Sequence, residues 1–387
     1  MSDSYVLIKG AMVIPMEGTG RESGDLPLPS NRNVVTIDAK NCLITPGISC
    51  GASLLIVFGY YCHLRNVYGS LYTPDDVYFA NYAAALSLLN NGVTTVLDYC
   101  HVINSPAHAD AAVKGLKDAA IRGTFCYGFY QNPKVPGDHS SIATDTFGPA
   151  AQVDNALRVR HEHFPSNDIT SLLLTFGAAL NDPPMQSRER TLGELSIARK
   201  LGSRLTTVHA SVVSHGASKP EVVQNFADAR LMGPELLAVV RNSGAGIVGT
   251  PDTELQMGMG YPVVWKATDM GCRACLGLDI TSNQERDVHR KTADVLRMAI
   301  LGGAEVMQME SLIGSIIPGK KADLVIFHCD DIDTVPVVDP IGTVVFHAST
   351  KNIDTVIING RIVKRDGELV GVDWRSLQDQ IISRPNG

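Results

Sequence analysis

Charge is scarce in this chain: only 19% of its 387 residues are charged, against 44% that are hydrophobic. That balance excludes a disordered, self-repelling chain and suits a compact enzyme. The net charge of −7 is spread without long runs, so no electrostatic footprint favours nucleic acid or an anionic membrane surface. A small-molecule partner is expected instead. No stretch reaches the roughly 18 apolar residues that a spanning helix needs, and Met1 to Ile8 shows no basic region followed by an apolar run. A soluble, cytoplasmic protein is expected. Paired cysteines are also wanting, since the eight are scattered and Cys272-x-x-Cys275 is the one close pair. One such pair without a second does not make a zinc or redox motif, and it reads as two positions entering a strand. Cys42, Cys126 and Cys275 lie in apolar runs, where a thiol behaves as a small buried hydrophobe.

What is present is a rhythm of short apolar runs, β-branched or Leu-rich, separated by helical periodicity. Those runs are Ile44 to Leu54, Gly92 to Asp98, Gly123 to Tyr127, Ser171 to Phe176, Leu205 to His209, Val222 to Ala227, Ala245 to Gly249 and Ala274 to Asp279. Eight strands alternating with helices predict a (β/α)8 TIM barrel, whose chemistry sits at the carboxyl ends of its strands. Both ends of the chain look different. Tyr5 to Pro15, Asn33 to Ile44, Ala322 to Phe327, Thr343 to His347 and Asp354 to Lys364 are β-rich, with Asn359-Gly360 and Asp366-Gly367 as turn signals. They predict a small β-sandwich formed by both termini, with Gly18 to Asn33 as a surface loop. The expected domains are therefore 1–44 and 313–387 for the two parts of the sandwich and 45–312 for the barrel.

Several segments carry a resemblance. They are Pro46-Gly47-Ile48-Ser49-Cys50-Gly51-Ala52-Ser53-Leu54, Gly92-Val93-Thr94-Thr95-Val96-Leu97-Asp98-Tyr99-Cys100-His101, Thr206-Thr207-Val208-His209-Ala210, Thr250 to Gly260, Leu276-Gly277-Leu278-Asp279 and Ile313 to Val325. In that order they resemble the amidohydrolase superfamily, in its cytosine-deaminase-like and chlorohydrolase-like subgroup, over nearly the whole chain. The resemblance implies one divalent metal held by a histidine pair on the first barrel strand, a histidine ending the fifth and an aspartate ending the eighth. Here the fifth-strand histidine maps to His209 and the eighth-strand aspartate to Asp279. The first-strand pair reads Ala52 and Leu54, the sixth-strand histidine reads Asp228, and a Met-Gly-His-Gly segment reads Met257-Gly258-Met259-Gly260. Four former histidine positions have lost imidazole, which implies a degenerate metal site. Zinc usually takes three protein ligands plus a water position. If any metal is held, His209, Asp228 and Asp279 are its expected ligands.

The remaining polar residues supply the candidate chemistry. His209 is expected to act as acid or base, since imidazole titrates near neutrality and Asp279 or Asp228 could orient it. His101 and Glu254 complete the candidate catalytic set of His209, Asp279, Asp228, His101 and Glu254. Tyr99, Tyr127, Tyr130, Tyr60, Tyr61 and Met259 are the candidate substrate contacts, an aromatic rim suiting a flat, apolar ligand. His161-x-His163 lies in a polar helical stretch before the fourth strand and is read as non-ligating. The main expectation is thus an enzyme without metal or other cofactor, running dehydration, cyclisation, decarboxylation or isomerisation of a small secondary-metabolite-like substrate, because proton transfer does not need a metal to acidify water. The alternatives are a metal-dependent hydrolase or deaminase of non-peptide C–N bonds using one Zn or Fe, and a non-catalytic binding protein. A homodimer is a further expectation, from the family's habit.

Overall fold

The computed structural model describes residues 4–17, 33–50, 67–133, 147–182, 186–209, 234–251, 254, 262–277 and 292–383. Fifteen strands lie among them: β1 Ser4–Lys9, β2 Met12–Val13, β3 Asn33–Asp38, β4 Cys42–Pro46, β5 Ile48–Cys50, β6 Val93–Cys100, β7 Arg122–Gly128, β8 Leu174–Ala179, β9 Thr206–Thr207, β10 Gly246–Gly249, β11 Arg273–Leu276, β12 Leu324–His328, β13 Ile353–Ile358, β14 Arg361–Arg365 and β15 Glu368–Leu369. The helices that matter below are α1 Pro74–Asn90, α2 Pro106–Ala119, α3 Pro149–His163, α4 Arg188–Lys200, α5 Pro234–Ser243 and α6 Val264–Asp269.

Strands β5 to β9 form one sheet in chain order, and β10 pairs with β11 in another. The β7–β8, β8–β9 and β10–β11 pairs are all parallel. Every residue of β7 and of β8 is buried, the pattern of parallel strands covered by helices on one side and a core on the other. Seven of the eight barrel strands expected from the sequence are present, and Val222 to Ala227 lies outside the described residues. The alternation of strand and helix is that of a (β/α)8 barrel. Local chemistry starts its helices. Ahead of α1, Thr73 and Asp76 exchange hydrogen bonds, the Thr73 amide donating to the Asp76 carboxylate at 2.9 Å and the Asp76 amide to the Thr73 hydroxyl at 3.2 Å. This reciprocal pairing satisfies two amides that the first turn leaves without partners. Pro106 and Pro149 open α2 and α3, where a missing N–H costs nothing.

The chain divides into two compact units. The first, Met1–Ser49, Leu86–Thr95 and Asp287–Val372, carries a six-stranded sheet in the order β15-β14-β13-β12-β4-β2 and the parallel pair β1–β3. Antiparallel pairing of β12 with β4, from Leu324 opposite Pro46 to His328 opposite Cys42, joins residues from the two ends of the chain. Ile37, Ala39, Cys42, Ile44, Ile326 and Ile357 form its core. Both turn signals hold: Asn359 and Gly360 have φ of 51° and 78°, Asp366 and Gly367 52° and 80°, so each two-residue loop has the double left-handed backbone that antiparallel hairpins favour. Thr343 to His347 is a correction, because it winds as a helical turn rather than a strand. Pro340 opens a helix there, the Asp339 side chain accepts from the Ile341 amide at 3.1 Å, and Val344 and Val345 pack on Ile14, Leu296 and Ile300. The second unit, Cys50–Ala85, Val96–Arg286 and Asp373–Gly387, contains the strand ends considered next. No described helix is long and apolar enough to cross a membrane.

Candidate active site

His209 lies two residues past the end of β9, just beyond the carboxyl end of a parallel strand. Its Nδ1 lies 2.7 Å from Oδ1 of Asp182, which follows β8. A carboxylate only accepts, so the imidazole donates through Nδ1–H, and Nε2 keeps its lone pair in the neutral ring. Asp182 is 4% exposed and His209 31%: the anchor is buried while the imidazole is reachable. Three nearly parallel rings meet here. Tyr99, on β6, stacks on His101 at 4.3 Å and on His209 at 4.2 Å, and the two imidazoles lie 5.3 Å apart. Tyr130 meets His101 edge-on at 6.4 Å. The Tyr99 hydroxyl donates to the Leu180 carbonyl and ties this ring to the end of β8.

The structure therefore brings together His209, His101, Tyr99 and Tyr130 from the sequence's candidates. Tyr127 stands apart: it is fully buried, its hydroxyl accepts from Asn155 Nδ2 on α3 at 2.9 Å, and burial pushes its phenol far up. Glu254 folds back on its own turn, accepting from the Thr250 amide at 2.7 Å, and burial raises its carboxyl above the usual range. Asp228, Asp279, Tyr60, Tyr61 and Met259 lie outside the described residues, as do Ala52 and Leu54. His163 pairs with Asp110 at 2.8 Å at the end of α3, in keeping with its reading as non-ligating. Sequence reasoning missed Asp182. Its one signal was a polar pair, Asn181-Asp182, running into Pro183-Pro184 just after a buried strand.

Asp98, one residue before Tyr99, carries a second anomaly. Its Oδ2 is closed off from solvent with no hydrogen-bond partner, and burial lifts its carboxyl from 3.8 to about 7. An acid whose pKa is raised by folding stabilises the fold fully below the unfolded value, near pH 4, and progressively less as pH rises toward 7. The Asp98→Asn variant removes that dependence. Urea unfolding should show it more stable than the parent at pH 7 by on the order of 2–4 kcal/mol, with the difference shrinking toward pH 4; equal stabilities across that window would contradict this.

A third group, in the sheet unit, imitates a nucleophilic triad. Cys42 Sγ is 3.5 Å from His328 Nδ1, and His328 Nε2 is 3.0 Å from Asp354. The thiol is 3% exposed, and burial pushes its pKa to about 11. It stays protonated at neutral pH and is no nucleophile.

The amidohydrolase family model matches residues 231–363. Over that segment the chain resembles the amidohydrolase family. Two similar relatives are 5-methylthioadenosine/S-adenosylhomocysteine deaminases: that of Acetivibrio thermocellus is 24% identical, over 87% of this chain and 84% of the relative, and that of Desulforudis audaxviator is 23% identical, over 97% of each. Among solved structures, an adenosine deaminase from Xanthomonas campestris with bound zinc superposes with a TM-score of 0.76 at 16% identity, covering 98% of each chain. An atrazine chlorohydrolase from Arthrobacter aurescens TC1 complexed with zinc gives 0.75 at 18%, covering 97% of this chain and 99% of the other.

These findings overturn two expectations. Metal-independent dehydration, cyclisation, decarboxylation or isomerisation gives way to hydrolytic chemistry, because the relatives are named as deaminases. The expected lack of a cofactor gives way as well, because amidohydrolase neighbours were crystallised with zinc. The argument for a degenerate metal site rested on Ala52, Leu54, Asp228 and Met259, none of them among the described residues. The described His209 fits a metal ligand well. A histidine whose Nδ1–H is held by a buried carboxylate presents Nε2 in a fixed direction, the usual arrangement behind a metal-bound imidazole. No group of three or more His, Cys, Asp or Glu that could hold a metal occurs among the described residues alone, so His209 would need Asp228 and Asp279 to complete a set.

Proposed function

We propose that this chain is a metal-dependent amidohydrolase that removes an amino group from a planar nitrogen heterocycle of the adenine type. The observation that carries the reading is the buried Asp182 carboxylate holding His209 beside the parallel rings of Tyr99 and His101. Flat rings at a strand end suit a flat ring as ligand, through dispersion and the offset stacking that aromatic quadrupoles prefer. The adenine class is supported by the names of the relatives, deaminases of 5-methylthioadenosine, S-adenosylhomocysteine and adenosine.

His209 through Nε2, with Asp279 as the family resemblance assigns it and Asp228 as a substituted third ligand, would hold one divalent ion. Bound there, the ion supplies the Lewis acidity that makes water nucleophilic near neutral pH. The chain's own residues do the rest. Asp182 fixes the tautomer and direction of the imidazole. Tyr99, held by its hydroxyl to Leu180, keeps its ring from rotating out of the wall, and Tyr130 closes the edge of His101.

The test is ammonia release. Purified full-length protein supplied with one equivalent of zinc is incubated with adenosine, 5-methylthioadenosine and S-adenosylhomocysteine, and free ammonia is measured. Release from at least one of them, lost on chelation and restored by zinc, is the expected result. Stoichiometric zinc without ammonia from any of the three would overturn the proposal.

A further inference from the structure

Residues 180 to 182 are tied, one after another, to different elements around them. Leu180 accepts from the Tyr99 hydroxyl through its carbonyl, and its amide donates to Thr207 at 3.0 Å. Asn181 is gripped by Glu194 of α4, whose two carboxylate oxygens accept from the Asn181 amide at 3.0 Å and from Asn181 Nδ2 at 2.7 Å. The other Nδ2 hydrogen of Asn181 reaches the Phe129 carbonyl, at the end of β7, at 3.0 Å. Asp182 then meets His209. Glu194 is itself 7% exposed and is neutralised by Arg190 Nε at 3.4 Å, with Gln186 Nε2 donating at 3.2 Å. A buried carboxylate is costly unless it is paired and its acceptor sites are filled. Here its strongest bonds all go to the residue that precedes Asp182.

We infer that Glu194 is a positioning residue for the site: by holding both the backbone and the side chain of Asn181, it aims the Asp182 carboxylate at His209 Nδ1 and so sets the direction of Nε2. Neither Glu194 nor Asn181 is within hydrogen-bond reach of His209 in the contacts seen, so the effect passes through Asp182. Only the kinetic consequence rests on the proposed hydrolytic reading. The hydrogen bond itself is independent of it.

The variants are Glu194→Gln, which keeps shape but puts an NH2 where an acceptor is needed, and Asn181→Ala, which removes the side-chain half of the link while leaving Glu194 and the backbone amide bond in place. The readout is the His209 Nδ1–H resonance in nitrogen-15 histidine-labelled full-length protein, assigned by its disappearance in His209→Ala, with Asp182→Ala as the reference for a broken bond. Both variants should weaken or abolish that resonance. With an active enzyme, kcat should fall about tenfold with KM within about twofold, and Glu194→Gln should add nothing in the Asp182→Ala background. A lowered melting temperature with an unchanged His209 resonance would make Glu194 merely structural and overturn the inference. If Glu194→Gln does not fold, Asn181→Ala alone decides. Absence of any ammonia release with the resonance lost as expected would sink the proposed function and leave the positioning role standing.

Discussion

Replacing His209 by alanine is expected to lower kcat/KM for the proposed adenine-type substrate by about 10²- to 10⁴-fold, with little change in melting temperature. The activity loss has two sources. The variant deletes a strand-end imidazole held in direction by Asp182, and loss of a ligand or of a positioned acid or base is worth that range. It also uncovers one face of Tyr99, which now stacks on two imidazoles at 4.2 and 4.3 Å. The fold should tolerate the change because the His209 side chain is 31% exposed and sits after a two-residue strand, so no sealed cavity is made. Asp182, however, loses its imidazole partner while 4% exposed, which is the one reason to expect a small destabilisation. Steady-state kinetics with thermal melts of both proteins check this. An activity within threefold of the parent would remove His209 from the site.

Gly123→Ala is expected to have the largest effect on stability. A Cβ at this position in β7 would lie 2.1 Å from the Val96 carbonyl oxygen and 3.0 Å from Val96 Cγ1 of the neighbouring strand. Real Cβ atoms do not approach backbone that closely, so β6 and β7 would have to separate, in a strand whose residues are all buried. Close-packed interiors do not absorb such a displacement, and overpacking alone commonly costs 1–3 kcal/mol. With the strand pairing disturbed as well, about 4 kcal/mol is expected, enough to unfold a marginally stable domain near body temperature. Chemical denaturation of the soluble fraction measures it. A midpoint equal to the parent's would mean that the two strands are not packed as described.

The barrel was legible because its signal is local and repeated. Runs such as Gly123 to Tyr127 are short, apolar and free of helical periodicity, and that run falls on β7, a fully buried parallel strand. The hairpin turns were legible for the same reason: Asn-Gly and Asp-Gly tolerate positive φ at both positions, and both occupy it. Thr343 to His347 was misread because Thr, Val, Val and Phe favour strands on their own. An upstream Asp339-Pro340 start, and a hydrophobic cluster waiting for Val344 and Val345, decided otherwise. The chemistry of the site was harder to read. Substituted positions at Ala52 and Leu54 suggested the abandonment of metal, yet the relatives named as deaminases and the zinc-bound neighbours point the other way.

The sequence alone determined the run of parallel strands seen among the described residues, the sheet that joins both ends of the chain and the identity of His209 as a strand-end imidazole, because each of these is written in neighbouring residues. Only the tertiary structure decided what His209 is bonded to. Asp182 lies 27 positions away and on another strand end, Asn181 and Glu194 behind it are 13 apart, and the ring that stacks on His209 comes from β6. Contacts of that kind leave no periodicity and no motif. They exist because parallel strands, laid side by side with their carboxyl ends at one face, collect residues that the chain itself keeps apart.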